Sequence, residues 1–349
     1  MRLEPRPSAT LGRSIVYTML AIGAALVFAS VLVMLAGANP FNVFWLVIRG
    51  AAGSQFAALE TLTRATPLIF TGLAVAVAFR AKLWNIGAEA QLYMGGIMTV
   101  VLGTGAVTIP AYGLVPLIMV GAMLAGALVL LGPAILKTRF GVDEVVTTLL
   151  LNFIVILFVS MLLEGVLKDP SGLGWPQSKK VIDAAELPRL IKGKRLHYGF
   201  VLALVSSVIV WFIMKKTVLG YEMRAVGHNP EAAHFAGIPV NRVLAKTALI
   251  SGGLAALAGF SEVAGLKGNL TLDLSSGYGY TGIVVAMLAM LNPLGVVAAA
   301  IFVAGIFVGA DAMSRSANVP SYIAQVMVAS ALLTMVTAMM LMRYRIRWK

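Results

Sequence analysis

Few residues in this chain of 349 could take part in covalent chemistry. It contains no cysteine, which excludes disulfides, thiolate catalysis and zinc–sulfur centres. With only three histidines, His197, His228 and His234, we expect no metal site. The chain lacks the hydrolase patterns G-x-S-x-G and H-E-x-x-H and the G-x-x-x-x-G-K-[ST] phosphate loop. The sequence therefore predicts neither an enzyme nor an ATP-binding site.

One ionisable side chain stands inside an apolar run. Glu89 lies in "LWNIGAEAQLYMGG" (83–96), where Asn85 is placed to cap the helix that follows. An acid in such a position is a candidate for a functional site. The alternative is structural, because Arg80 and Lys82 place this turn near the inner face. Glu89 would then stabilise a helix N-terminus.

A second stretch, "HNPEAAHFAG" (228–237), is a short polar segment with the residues of a capped helix. Asn229 suits the N-cap, and Pro230 suits the first helical position. Glu231 lies where the helix dipole favours an anion. Gly237 suits the left-handed position that ends a helix. The pattern predicts about two helical turns, 230–236, which could equally be an ordinary loop helix.

The rest of the chain is apolar enough to place these residues in a membrane protein. It is 60% hydrophobic and 12% charged, and its mean hydropathy is +0.92. Long runs without charge, such as 14–48 and 90–136, exceed the roughly 20 residues that cross a bilayer. The net charge of +13 is typical of Lys and Arg at cytoplasmic helix ends, so we expect no nucleic-acid partner.

We predict an all-α polytopic membrane protein, a single domain over 1–349, with about ten transmembrane helices and both termini cytoplasmic. The cationic loop 168–197 is predicted to be external, with a short helix near 181–187, and 216–245 to be a cytoplasmic loop. Segment 38–50 is predicted to be an interfacial helix. The predicted spans are 14–36, 62–80, 86–104, 112–136, 145–167, 198–215, 246–265, 277–291, 294–312 and 319–342.

Two short apolar segments, 65–79 and 277–290, are each followed within a few residues by an asparagine and a glycine. Paired short spans of this kind point to a transport site between repeats. A polar, uncharged solute would suit amide, hydroxyl and aromatic side chains, although each of these could also serve in capping or packing. The candidates for a substrate path are Asn85, Glu89, Gln91, Tyr93, Tyr278, Tyr280, Thr281 and Asn292.

Both motifs resemble those of a known transporter family. "EAAHFAG" (231–237) resembles the EAA-x-x-x-G loop of ABC importer permeases, and its I-x-L-P extension is missing, as in the branched-chain amino acid/ribose superfamily. "NIGAEAQ" (85–91) resembles the N-I-G-x-E-G-Q signature of the nucleoside and simple-sugar branch, with Ala90 in place of Gly. The residues that match the coupling helix of such permeases, with its caps, are Asn229, Pro230, Glu231, Ala232, Ala233 and Gly237.

The resemblance implies a permease subunit of the bacterial inner membrane that imports a nucleoside or simple sugar. It implies a cytoplasmic ABC ATPase that holds the ATP and Mg, an extracytoplasmic solute-binding protein and a second permease, with a heterodimer favoured over a homodimer. No cofactor is expected in this chain. The alternative is an ion-coupled secondary transporter of a small polar solute that uses Glu89. That alternative leaves the capped helix at 230–236 unexplained.

Overall fold

The backbone is organised almost entirely as α-helices. The computed structural model describes residues 2–5, 11–35, 37–105, 109–172, 174–317 and 344–347, together with scattered positions between 322 and 337. Because hydrocarbon offers no partner to backbone N–H and C=O groups, a spanning segment satisfies them within a helix. The helices are α1 (Leu11–Leu35), α2 (Pro40–Ala52), α3 (Gln55–Arg80), α4 (Ala88–Gly103), α5 (Ala111–Phe140), α6 (Glu144–Glu164), α7 (Gly199–Lys216), α8 (Val218–His228), α9 (Pro230–Phe235), α10 (Val240–Glu262), α11 (Tyr278–Leu288) and α12 (Pro293–Ala317). A 3-10 turn (Asp183–Ala185), a π turn (Val263–Lys267) and the antiparallel strands β1 (Arg2–Pro5) and β2 (Tyr344–Arg347) complete the described elements.

The predicted spans coincide with helices wherever the structure describes them. Six helices of the described part are long and apolar enough to cross a membrane, and the bent pair Leu26–Leu35 and Pro40–Ala52 would make a seventh. With 16 and 11 residues, α4 and α11 are shorter than the roughly 20 residues of a full crossing. Most of the predicted span 319–342 lies outside the described residues. The all-helical membrane architecture is confirmed, and the number of about ten crossings stays a prediction.

The chain divides into two compact units, and the larger is Leu62–Phe302. Here α10 packs against α4 and α5, and every residue from Ser251 to Glu262 is buried. By contrast, α6 and α7 turn apolar side chains outward, for example Leu157 and Ile209. A helix that is apolar on all sides is stable when protein covers it or when lipid does. The first case therefore describes α10, and the second describes α6 and α7.

Small residues allow the central helices of this unit to touch. A Cβ added to Gly252 of α10 would lie 2.8 Å from the carbonyl carbon of Gly126 and 2.9 Å from the Cα of Ala127, both on α5. The neighbouring Gly253 has ordinary space, since its nearest neighbour would be the Met123 carbonyl oxygen at 3.4 Å. Small residues drive helix association in membranes because dispersion contacts replace the hydrophobic effect there. The α5–α10 contact is of this type.

The second unit comprises Met1–Thr61 with Val303–Lys349. Its described core includes Val33, Val43 and Met313. Asn39 ends the turn after α1 and caps α2, since the Phe41 N–H donates to its Oδ1 at 3.0 Å. The axes of the two helices meet at 110°. A helix at 38–50 is thus confirmed, whereas its interfacial depth stays a prediction.

The loop 168–197 is tied to the ends of α4 and α10 by backbone hydrogen bonds. The N–H of Leu187 donates to the Ala264 carbonyl at 2.7 Å, and that of Val181 to the Gly268 carbonyl at 2.8 Å. A third bond, 2.8 Å long, joins the Ile182 N–H to the Gly103 carbonyl at the end of α4. The helix predicted near 181–187 is a single 3-10 turn. The loop therefore forms a fixed cap over this end of the unit.

His197 closes that loop with a buried ring, 1% exposed. Its Nδ1 accepts from the Gly199 N–H at 3.1 Å, and its Nε2 has no hydrogen-bond partner in the described part of the chain. Burial lowers the pKa of His197 to about 4, because a buried imidazolium loses its hydration. The side chain is consequently neutral at pH 7 and packs as part of the cap.

Candidate functional site

The first candidate region is a buried polar cluster where α3 gives way to α4. The Asn85 amide pairs with the Gln91 amide through two hydrogen bonds of 2.9 and 2.8 Å. Its nitrogen also donates to Ser251 Oγ at 3.0 Å, and the Ser251 hydroxyl donates to the Ala74 carbonyl at 2.7 Å. Because Asn85 and Gln91 are at most 1% exposed, this pairing satisfies two amides that would otherwise be costly to bury. The cluster joins α3, α4 and α10.

The N-terminus of α4 is capped by a residue that the sequence reasoning missed. Asn152, within α6, accepts at Oδ1 from the Ala90 N–H at 2.9 Å. Its nitrogen donates to the Ile86 carbonyl at 2.9 Å and reaches the Tyr280 hydroxyl at 3.1 Å. Asn85 is not the N-cap, contrary to the prediction, because α4 begins three residues later, after Gly87. The sequence did hold a signal of this role, because Asn152 is the single amide side chain in the apolar run 145–163.

Glu89 faces the start of another helix. Its Oε2 accepts from the Gly279 N–H at 2.6 Å, in the first turn of α11, and Ser275 also hydrogen-bonds to the carboxylate. A Cβ on Gly279 would lie 2.6 Å from the Glu89 Cα, so α4 and α11 cross in direct backbone contact there. A carboxylate at a helix N-terminus is stabilised by free N–H groups and by the helix dipole. Glu89 therefore stabilises a helix N-terminus, as the structural alternative predicted. The stabilised helix is α11, and Glu89 itself lies in the first turn of α4.

The remaining candidates for the substrate path differ in their burial and in their hydrogen-bond partners. The Tyr93 hydroxyl donates to the Leu272 carbonyl at 2.6 Å, and buried Tyr278 hydrogen-bonds with Arg64. Tyr280 is 39% exposed and Thr281 is partly buried, so they lie at the edge of the cluster. Asn292 is exposed and apart from it, and its Oδ1 accepts from the Leu294 N–H at 3.2 Å.

The second candidate region is α9, which has the helix termini that the sequence predicted. The Asn229 Oδ1 accepts from the N–H groups of Glu231 and Ala232 at 3.0 and 3.1 Å, and Pro230 occupies the first turn. At the other end Gly237 has φ +82°. The helix predicted at 230–236 is thereby confirmed, with the bounds Pro230–Phe235.

The C-terminal cap of α9 is a Schellman motif. The Gly237 N–H donates to the His234 carbonyl at 2.9 Å, and the Ile238 N–H to the Ala233 carbonyl at 3.0 Å. These are the two bonds that define the motif. Together with Asn229, they fix both ends of a helix of 6 residues that would be marginal without them.

The two faces of α9 differ in exposure. Ala233 is 4% exposed and packs inward, whereas Phe235 is 95% exposed. Glu231, Ala232 and His234 are exposed as well. Of the two adjacent alanines, Ala232 therefore presents its side chain outward and Ala233 does not. The outward Phe235 was missed because a single aromatic in a short polar helix has no periodic pattern.

A further helix, α8, precedes α9 and was not predicted. Its N-cap is Thr217, whose hydroxyl oxygen accepts from the Gly220 N–H at 3.2 Å. Asn229 ends α8 and begins α9, so the two helices share one capping residue. Beyond Gly237 and Pro239, a continuous helical segment of 28 residues runs from Val240 to Lys267. The segment 217–239 thus joins α7 directly to the buried α10.

Residues 57–342 match the family described as "Branched-chain amino acid transport system / permease component". The chain belongs to this family. It is 33% identical to the glucose ABC transporter permease protein TsgB13 of Haloferax volcanii over 99% of this chain and 93% of that protein. It is 37% identical to the guanosine ABC transporter permease protein NupP of Bacillus subtilis over 85% of this chain and 84% of that protein. A second guanosine ABC transporter permease protein of Bacillus subtilis, NupQ, is 28% identical over 69% of this chain and 77% of its own length.

The membership confirms the resemblance read from the two motifs. The permease is a transport subunit of an ABC system and is not an enzyme, and ATP hydrolysis belongs to a partner ATPase. It is a multi-pass protein of the cytoplasmic (inner) membrane, with several apolar helices able to span it. Family membership also implies a substrate-binding partner. The alternative of an ion-coupled secondary transporter is not supported.

Proposed function

We propose that this permease moves a nucleoside or a simple sugar inward, driven by a cytoplasmic ATPase that holds the ATP and Mg and grips α9. TsgB13 is a glucose permease and NupP is a guanosine permease, which supports this solute class. The observation that carries the coupling role is the capping of α9 at both ends, by Asn229 and by the Schellman motif at Gly237. A helix fixed in this way moves as one body when a partner pushes on it.

The proposed contact surface is the outward face of α9. It consists of Glu231, Ala232, His234 and Phe235, with Phe235 as the side chain that enters the ATPase. Aromatic residues dominate binding energy at interfaces because they bury a large area at a small cost in side-chain entropy. Ala233 packs inward behind this face, and the exposed residues Asn229, Pro230 and Gly237 fix the two ends of the helix.

The continuous segment from Val240 to Lys267 would carry this movement across the membrane. Its 28 residues correspond to about 40 Å, the thickness of a bilayer with its headgroups. It ends beneath the cap formed by residues 168–197, which is bonded to Ala264 and Gly268. A displacement of α9 would therefore pass through residues 236–239 into this segment and along it to the external cap.

The proposed solute path runs along Tyr280 and Thr281, at the exposed edge of the polar cluster. The deeper residues Asn85, Glu89 and Gln91 bind one another or neighbouring helices, as do Tyr93 and Tyr278. We assign them the role of holding the wall of the path in position. Asn292 would lie at the inner end of the path.

We place the whole chain in one permease domain with about ten crossings and both termini in the cytoplasm. In this arrangement α4 and α11 cross as short helices, and 319–342 supplies the tenth span. A second, different permease completes the path. The match to both NupP and NupQ of one organism supports a heterodimer.

Cysteine crosslinking tests the coupling role directly, because the chain has no native cysteine. Ala232→Cys should crosslink to the ATPase in the assembled transporter, and the adjacent, buried Ala233→Cys serves as the matched control. Solute uptake should require ATP hydrolysis and should persist in the presence of uncouplers. Failure of Ala232→Cys to capture the ATPase, or uptake that collapses with the proton gradient, would contradict the proposal.

A further inference from the structure

A cavity in the unit Leu62–Phe302 is lined by no residue of α9 or of the polar cluster, and of the proposed path residues it includes Asn292 alone. Its volume is about 830 Å³, and it is lined by the ends of α3, α7 and α11, by α8 and by the first turns of α12. The face of α12 toward it carries Gly295, Ala298, Ala299 and Phe302, an i, i+3, i+4, i+7 set. This groove is about 10 Å long along the helix axis. Its small residues leave room for an occupant.

The groove has a cationic mouth. Arg80, Lys215 and Arg224 line it, and no carboxylate lies among the described residues that do so. Arg80 and Arg224 are close enough for their charges to act on each other. Each guanidinium donates to a wall carbonyl, Arg80 to Leu291 and Arg224 to Met214, which fixes both positions. Three converging cations without an acid are complementary to an anion.

The remaining wall of the groove is apolar. Trp211 lies beneath the ammonium of Lys215, whose Nζ is 5.7 Å from the ring centroid. Phe302 is 62% exposed on the opposite side. A free phosphate or a nucleotide would leave this apolar surface exposed to water. A neutral solute would leave the three cations without a counter-charge. A ligand with an anionic head and an apolar tail satisfies both parts.

We infer that this groove binds an anionic phospholipid, with its headgroup phosphate at Arg80, Lys215 and Arg224 and an acyl chain along α12. Arg80 and Lys215 lie in the last turns of the apolar helices α3 and α7, which is the depth of the headgroups in a bilayer, and Arg224 lies on α8, which follows α7. Basic pockets between transmembrane helices are recognised sites for anionic headgroups. The site does not depend on the identity of the transported solute.

Native mass spectrometry of the purified full-length permease tests this site with added phosphatidylglycerol and phosphatidylcholine. We expect one phosphatidylglycerol per chain to be retained in preference to phosphatidylcholine. Lys215→Gln should weaken it about fivefold, the contribution of one cation near an anionic headgroup. The matched control is Lys216→Gln, because Lys216 is exposed at the same helix end but does not line the groove.

A second pair of variants tests the apolar part without altering charge. Ala298→Trp should fill the groove and abolish retention, whereas Leu294→Trp, on the same helix but outside the groove, should not. Equal loss in Lys215→Gln and Lys216→Gln would overturn the site, as would competition by glycerol phosphate as strong as that by the lipid. Displacement of the lipid by a neutral nucleoside, or by the ATPase, would also overturn it and would identify the groove as a solute or protein site.

Discussion

Replacement of Gly237 isolates the contribution of one backbone cap to coupling. Its φ is +82°, and a Cβ added there would have no atom within 4 Å. A side chain at this position therefore causes no steric clash, and its cost comes from the left-handed backbone alone. That cost is about 1–2 kcal/mol for an L-residue. Asn tolerates this conformation better, so we expect destabilisation in the order Val, Ala, Asn.

The magnitude matters because α9 is short. The cap consists of the bonds from Gly237 to His234 and from Ile238 to Ala233, and α9 has only 6 residues. A penalty of about 1–2 kcal/mol lowers the ratio of capped to frayed helix by roughly 5- to 30-fold. Gly237→Val should thus uncouple ATP hydrolysis from uptake while the permease still inserts and assembles. Gly132→Ala is the control, since Gly132 lies within α5 and also has open space around its Cβ.

Two measurements on reconstituted transporter check this prediction. Hydrogen exchange over residues 229–239 should accelerate in Gly237→Val, and solute-stimulated ATPase activity and uptake should fall together. Faster exchange with normal uptake would refute α9 as the lever. Unchanged exchange would refute the strain argument itself.

Three further predictions concern stability. Glu89→Gln removes the charge facing α11 and should lower the unfolding free energy by about 1–2 kcal/mol while uptake persists; lost uptake at unchanged stability would show a transport role. Gly252→Ala should lower the unfolding free energy by about 1–3 kcal/mol, because the added methyl group meets the backbone of α5. The adjacent Gly253→Ala should raise it by up to about 1 kcal/mol through helix propensity. Equal effects of the two variants in denaturant titrations would contradict the close contact. His197 has a pKa lowered to about 4 by burial, so the unfolded chain binds its proton first as pH falls. Unfolding free energy should therefore decrease by up to about 3 kcal/mol from pH 6.5 to 4 in wild type, a dependence that His197→Gln should lack.

The sequence determined those features whose physical cause is local. Asn229, Pro230 and Gly237 act on backbone groups within a few residues, so the two ends of α9 were predictable from their types and spacing alone. The apolar runs similarly predicted helices, because their length and lack of charge are sufficient to specify a membrane segment. The family resemblance followed from two short motifs, at 85–91 and 231–237.

Tertiary structure alone decided which partner each polar residue meets. Nothing in the local sequence shows that Asn152 caps α4 or that Glu89 faces the N-terminus of α11, since those contacts join residues more than 60 positions apart. The inward position of Ala233 and the exposure of Phe235 likewise depend on what packs beneath α9. The cations Arg80, Lys215 and Arg224 line one cavity only because α3, α7 and α8 meet there. Burial and contact are properties of the packed helices, and their order along the chain does not contain them.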